Sequence, residues 1–304
     1  MKRVLLVALL AGLVLTAAVA VWTAKVGSAA GGGALQVVAA ENFWGSIASQ
    51  LGGDKVHVSS VITSPATDPH DYEPTAADAR SIAGAKMVIV NGIGYDPWVP
   101  KLIAANPVGG RVVLTVGDLV GLKPGANPHR WYSPGDVQKV IVEIVRDYSK
   151  LDPKHTAYFQ RQKTLFETHG LARYKQLIAS IKHRFRGVPV GASESIFAPL
   201  AQALGLKLLT PSSFLKAISE GTDPTASDKT TIDRQIARRQ IKIWVFNGQN
   251  STPDVQRITD AARKRGIPVA TITETLTPAS ASFQQWQARQ LQALAAALKK
   301  GTGR

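Results

Sequence analysis

Short, continuous apolar runs alternate along this chain with stretches in which apolar residues recur at helical spacing. Residues 35–40 read as a short buried strand, and the stretch after Glu41 reads as a helix closed by Gly52-Gly53. Residues 56–62 alternate and are rich in β-branched side chains, which predicts a second strand; Thr75 then has the chemistry of an N-cap for a helix over 75–85. Residues 86–92 are a third apolar run, followed by a short helix over 96–105 and a strand over 111–116. Val137, Val140, Ile141, Ile144, Val145 and Tyr148 then mark a helix within residues 135–150.

Residues 152–186 form one long charged helical pattern, with Asp152 as its expected N-cap, Pro153 at the first helical position and Gly170 as the place for a kink. Such a helix is roughly 50 Å long, more than one small lobe needs, so it predicts a rod joining two lobes. The second half repeats the alternation: strands over 188–192, 206–210, 241–246 and 269–273, helices over 195–204, 231–239, 253–265 and 282–299, and an exposed mobile loop over 222–229. Strand followed by helix throughout predicts an α/β fold of two lobes, each a mainly parallel sheet flanked by helices, joined by one long backbone helix. The expected divisions are residues 35–151 for the first lobe, 152–186 for the linking helix and 187–304 for the second lobe.

The first residues change the picture of where the protein works. Lys2 and Arg3 precede an apolar run from Val4 to about Trp22, then small residues, which predicts an export signal or an uncleaved membrane anchor over 1–30, with a glycine-rich tether over 31–34. An extracytoplasmic location follows. The chain has no cysteine, which excludes disulfides, thiolate metal sites, a thiol nucleophile and a lipid-modified cysteine. Its 36 Lys and Arg against 21 Asp and Glu give a formal charge of +15, suited to long-range attraction toward an anionic envelope surface. Nucleic acid is not the expected partner, because the basic stretches lack interleaved stacking aromatics or a groove-reading motif.

Two proline-stiffened loops carry the candidate chemistry: Asp68-Pro69-His70-Asp71-Tyr72-Glu73-Pro74 and Asn127-Pro128-His129-Arg130-Trp131-Tyr132-Ser133-Pro134. Proline forbids an interior helix or strand and holds each imidazole in a rigid loop. By sequence order the loops belong to the carboxyl edge of the first sheet, where open α/β sheets bind ligands. His57, in a strand, and His155, His169 and His183, on the long helix, lack this setting and read as solvated residues. In the second lobe, Glu194 follows the first strand and Glu274 the last; each is a ligand candidate or a helix-capping and solvent-facing carboxylate.

These motifs, with Asn91-Gly92-Ile93-Gly94-Tyr95-Asp96-Pro97-Trp98 and Ala192-Ser193-Glu194-Ser195-Ile196-Phe197, resemble the zinc/manganese solute-binding proteins of bacterial ABC importers over almost everything after the export segment. The resemblance implies a monomeric two-lobed protein that holds a transition metal in its cleft and passes it to an ABC permease in the membrane. It implies His70 and His129 as the first two ligands. It places Glu194 where manganese-type members have a glutamate and zinc-type members commonly a histidine, and Glu274 near a last ligand that is commonly aspartate. The His-rich loop of many zinc-type members is missing. Imidazole with carboxylate suits manganese, zinc or, after these, iron(II). Two other classes stand beside this one: a metal-dependent extracellular hydrolase, with Glu73 or Asp71 as nominal base, and a surface adhesin.

Overall fold

The structure, a computed structural model, describes residues 33–67 and 72–304. The segment 1–30 read as export signal or anchor, and His70, lie outside the described residues. Among the described residues no helix is long and apolar enough to cross a membrane.

The first lobe contains β1 (Leu35–Glu41), β2 (Val56–Ile62), β3 (Met87–Val90) and β4 (Val112–Thr115), all parallel in the order β2-β1-β3-β4. The second contains β5 (Pro189–Ala192), β6 (Lys207–Leu208), β7 (Trp244–Asn247) and β8 (Val269–Ile272), also parallel in the order β6-β5-β7-β8. Every residue of β3 is buried, as expected of a strand covered by helices on both faces. In each sheet the chain leaves the first strand toward one edge and returns to build the other side. A crevice therefore opens beyond the carboxyl ends of β1 and β3, and another beyond β5 and β7.

Helices follow the strands largely where the periodicity predicts them. Thr75 caps the helix Ala76–Gly84 through a reciprocal capping box with Asp78. Ser133 caps the helix Pro134–Leu151, whose buried face carries the predicted apolar residues. The long linking helix is a correction. It is built in pieces: a tight turn at Pro153–His155, a helix Thr156–Leu165, a π-helical turn Phe166–Gly170 and a helix Ala172–Phe185. Asp152 does not cap it; its carboxylate meets His155 Nδ1 at 2.6 Å. The wider turn falls at Gly170, where an added Cβ would lie 2.9 Å from the Phe166 ring. A second correction concerns residues 222–229, read as a loop. Thr225 caps a helix Ala226–Ala237, so half of that stretch is helical, and the helix Ser212–Ser219 was not expected.

One apolar core crosses between the lobes. It joins Phe43, Trp44, Trp131 and Tyr148 of the first to Val190, Val245 and Trp286 of the second, through Phe159 and Phe185 of the intervening helices. Phe43 and Trp131 stack with ring centroids 4.0 Å apart, which seats the His129 loop against the first helix of its own lobe. The closing helix Phe283–Thr302 returns to the first lobe, where Phe283 N–H donates to Ser46 Oγ.

Candidate metal centre

His129 is placed by a chain of backbone and amide contacts. Asp96 accepts from the backbone N–H groups of Asn91 and Gly92 at 2.7 and 2.8 Å, closing the loop beyond β3, where Gly92, Ile93 and Gly94 all take positive φ. Asn91 Nδ2 then donates to the Pro128 carbonyl, and Asn91 Oδ1 accepts from Trp44 Nε1, so the loop beyond β4 is tied to the loop beyond β3. Asn127 Oδ1 lies 2.9 Å from His129 Nδ1 and also accepts the His129 backbone N–H. Since the amide oxygen can only accept, Nδ1 carries the proton there and Nε2 is the unprotonated nitrogen of the neutral ring. That Nε2 faces Glu194 Oε1 at 3.5 Å.

Across the seam, Glu194 follows β5 and Glu274 follows β8. Glu194 does not cap the turn after it; its Oε2 accepts from Asn247 Nδ2 at 2.6 Å. The same amide donates to Glu274 Oε1 at 3.0 Å, and Tyr95 Oη, from the first lobe, donates to Glu274 Oε2 at 2.6 Å. One donor atom each from His129, Glu194 and Glu274 lies within 4.8 Å of the others, and the three residues are 0%, 1% and 7% exposed.

Burial dominates the electrostatics. It pushes the Glu194 carboxyl well above its ordinary pKa, and the nearby Glu274 charge pushes in the same direction. Tyr95 is likewise held well above the ordinary phenol value by burial and by Glu274, so it stays a donor. Behind the site, Glu41 at the end of β1 is fully buried; desolvation and the neighbouring Asp96 raise its pKa well above normal, and Asp96 itself is raised to about 6 by burial. Two carboxylates and an imidazole in so small a volume carry a charge that a divalent cation neutralises, which is what such a donor set accomplishes chemically.

Of the four predicted site residues, the structure brings three together; His70 lies outside the described residues. The remaining histidines match their solvated reading, with His57, His169 and His183 exposed and His155 paired with Asp152. Sequence reasoning missed Asn247, Asn127 and Tyr95 as contributors. Asn127 and Tyr95 stand inside the quoted motifs, where no role was given to them, and Asn247 is a polar residue ending an otherwise apolar strand.

Two lobes of one topology, meeting at a buried imidazole-carboxylate cluster, define a two-lobed cation-binding architecture. Residues 37–297 match the family described as zinc-uptake complex component A, periplasmic, and the chain belongs to that family. It is 25% identical over 264 residues to the metal ABC transporter substrate-binding lipoprotein FimA of Streptococcus parasanguinis, covering 81% of each chain. It is 28% identical over 173 residues to a putative metal-binding protein of Treponema pallidum, covering 50% of this chain and 54% of that one. Its fold resembles the Mn-bound periplasmic metal-binding protein of Candidatus Liberibacter asiaticus, with a TM-score of 0.70, 19% identity, and coverage of 86% of this chain and 98% of that one.

Proposed function

We propose that the protein captures a divalent transition-metal cation, manganese or zinc ahead of iron(II), at the seam between its lobes outside the cytoplasm and delivers it to an ABC permease. Nε2 of His129 and one oxygen each from Glu194 and Glu274 serve as donors, with His70 as the fourth. The observation that carries this reading is the convergence of three buried donors, from three separate segments and both lobes, within 4.8 Å. Two neutral imidazoles and two carboxylates balance a 2+ charge, so the loaded centre is neutral and tolerates burial. No hydrolytic step is part of this proposal; the role is binding and release.

Elemental analysis of protein recovered from its native envelope, beside a His70→Ala, His129→Ala double variant, tests it. The expected result is about one equivalent of transition metal in the unaltered protein and a loss of at least roughly tenfold in the variant. Equal metal content in both would overturn the assignment.

A further inference from the structure

The strands of the second lobe are parallel, so their carboxyl ends carry Glu194 and Glu274 to the metal centre while their amino ends lie together at the opposite edge of the sheet. Entry to β5 brings Arg186 to that edge, entry to β6 Lys207, entry to β7 Lys242 and entry to β8 Arg265, and all four are exposed. The strand order sets them in a row, Lys207, Arg186, Lys242, Arg265, on strands that together span about 14 Å. The closing helix ends at the same place: a Cβ added to Gly301 would lie 2.1 Å from the Lys242 carbonyl oxygen, so the exposed Lys299 and Lys300 stand beside the row. The segments that build the edge, 184–189, 203–207, 237–243, 263–268 and 297–304, contain no aspartate or glutamate. Among the described residues, none of these six cations enters an ion pair.

Cations at helix C-termini offset the helix dipole, which accounts for Arg265 and Lys300 but not for Lys207 and Lys242, which stand at strand entries. Nor does the topology by itself make such an edge. At the matching edge of the first lobe, Lys55 pairs with Asp54, and Arg111 commits its guanidinium to the carbonyls of Ile82, Ala85 and Asn106. We propose that the amino edge of the second sheet is a docking face for a linear polymer of the cell envelope that carries repeating anionic groups. A row of cations matches a chain of anions, and the attraction is long-ranged and screened by salt. The choice of a polymer over an anionic bilayer rests on the metal-delivery reading above. A bilayer bound at this edge would turn the metal centre away from the membrane that holds the permease, whereas a polymer strand lies along the row and leaves the opposite edge open. The docked protein is thus concentrated in the envelope with its cation site uncovered.

Long-chain inorganic polyphosphate is the probe, and its binding to the full chain is measured over a range of salt concentrations. One variant combines Lys207→Gln, Lys242→Gln and Lys300→Gln. A control combines Lys101→Gln, Lys123→Gln and Lys154→Gln, which removes the same charge from exposed positions elsewhere. The first variant is expected to bind about tenfold or more weakly at low salt, with a shallower slope of log affinity against log salt, while the control stays within about twofold of the unaltered chain. Replacing the same three edge lysines with arginine keeps the charge and is expected to keep the affinity, which separates loss of charge from loss of fold. Equal losses in the edge and control variants would show that net charge alone acts, and overturn the inference. So would an unaltered chain that does not bind polyphosphate, or an arginine version that binds as poorly as the glutamine one. Binding to phosphatidylglycerol vesicles that the edge variant loses, without binding to polyphosphate, would make the partner a bilayer and also overturn it. Polyphosphate binding of the expected pattern in a protein that takes up no metal supports the docking face while removing the metal-capture reading.

Discussion

At the scale of single residues, the centre shows how neighbours assign a role that residue type leaves open. His129 is a ligand candidate because Asn127 fixes the proton on Nδ1; the exposed His57 has no such partner among the contacts that define its strand. Glu194 carries a linkage with a definite sign. Its carboxyl holds a proton more tightly in the folded chain than at the ordinary value of 4.5, chiefly because burial disfavours the charge. The folded state therefore has its full advantage from this group below that value and loses it as pH rises through the neutral range. We expect the melting temperature of chelator-stripped protein to fall between about pH 5 and about pH 8, with a shallower fall in Glu194→Gln, measured by calorimetry. An unchanged slope in that variant would show that Glu194 is not the titrating group. Both glutamates were visible in the sequence as carboxylates beyond strands. That they face each other and share one amide was not, since Glu194, Asn247 and Glu274 are separated by stretches whose packing the local pattern does not encode.

Among the elements, the strands and capped helices follow local rules because their determinants are local: an apolar run covered on both faces, a hydroxyl at an N-cap, a proline at the first helical position. The irregular pieces depend on contacts across the turn. In the π-helical segment, Leu171 N–H donates to the Phe166 carbonyl at 2.8 Å, and Gly170 leaves room for the Phe166 ring. Gly170→Val would drive a β-branched side chain into that ring and is expected to destabilise the protein by about 1–3 kcal/mol in denaturant unfolding, with cation affinity unchanged. A neutral result would mean the ring moves aside freely. The stretch around Thr222–Lys229 was misread for a complementary reason: its Asp, Ser and Thr residues are turn formers in isolation, yet Thr225 uses its hydroxyl to accept the Asp228 N–H and start a helix. Ile232 and Ile236 anchor that helix in the second lobe's own core.

For the molecule as a whole, the seam is stitched at several heights. Tyr95 reaches Glu274, Asn127 Nδ2 donates to the Ser195 carbonyl at 2.7 Å, Gln249 Nε2 donates to the Pro65 carbonyl at 2.6 Å, and Tyr132 Oη donates to the Thr273 carbonyl at 2.7 Å. Beneath these contacts the apolar core runs through both lobes, and parting them would expose apolar area at about 25 cal/mol per Å². A wide hinge opening is therefore disfavoured. Small-angle scattering profiles recorded with chelator and with excess zinc are expected to superimpose; a change in radius of gyration of several Å would contradict this account. The sequence by itself determined the alternation of strand and helix, the proline-flanked loop that carries His129 and the carboxylates placed beyond strands, because apolar period, proline and capping chemistry act over a few residues. Only the tertiary structure decided which donors meet and that one buried amide holds two acids, because those outcomes depend on strand order and on packing between residues tens of positions apart or more.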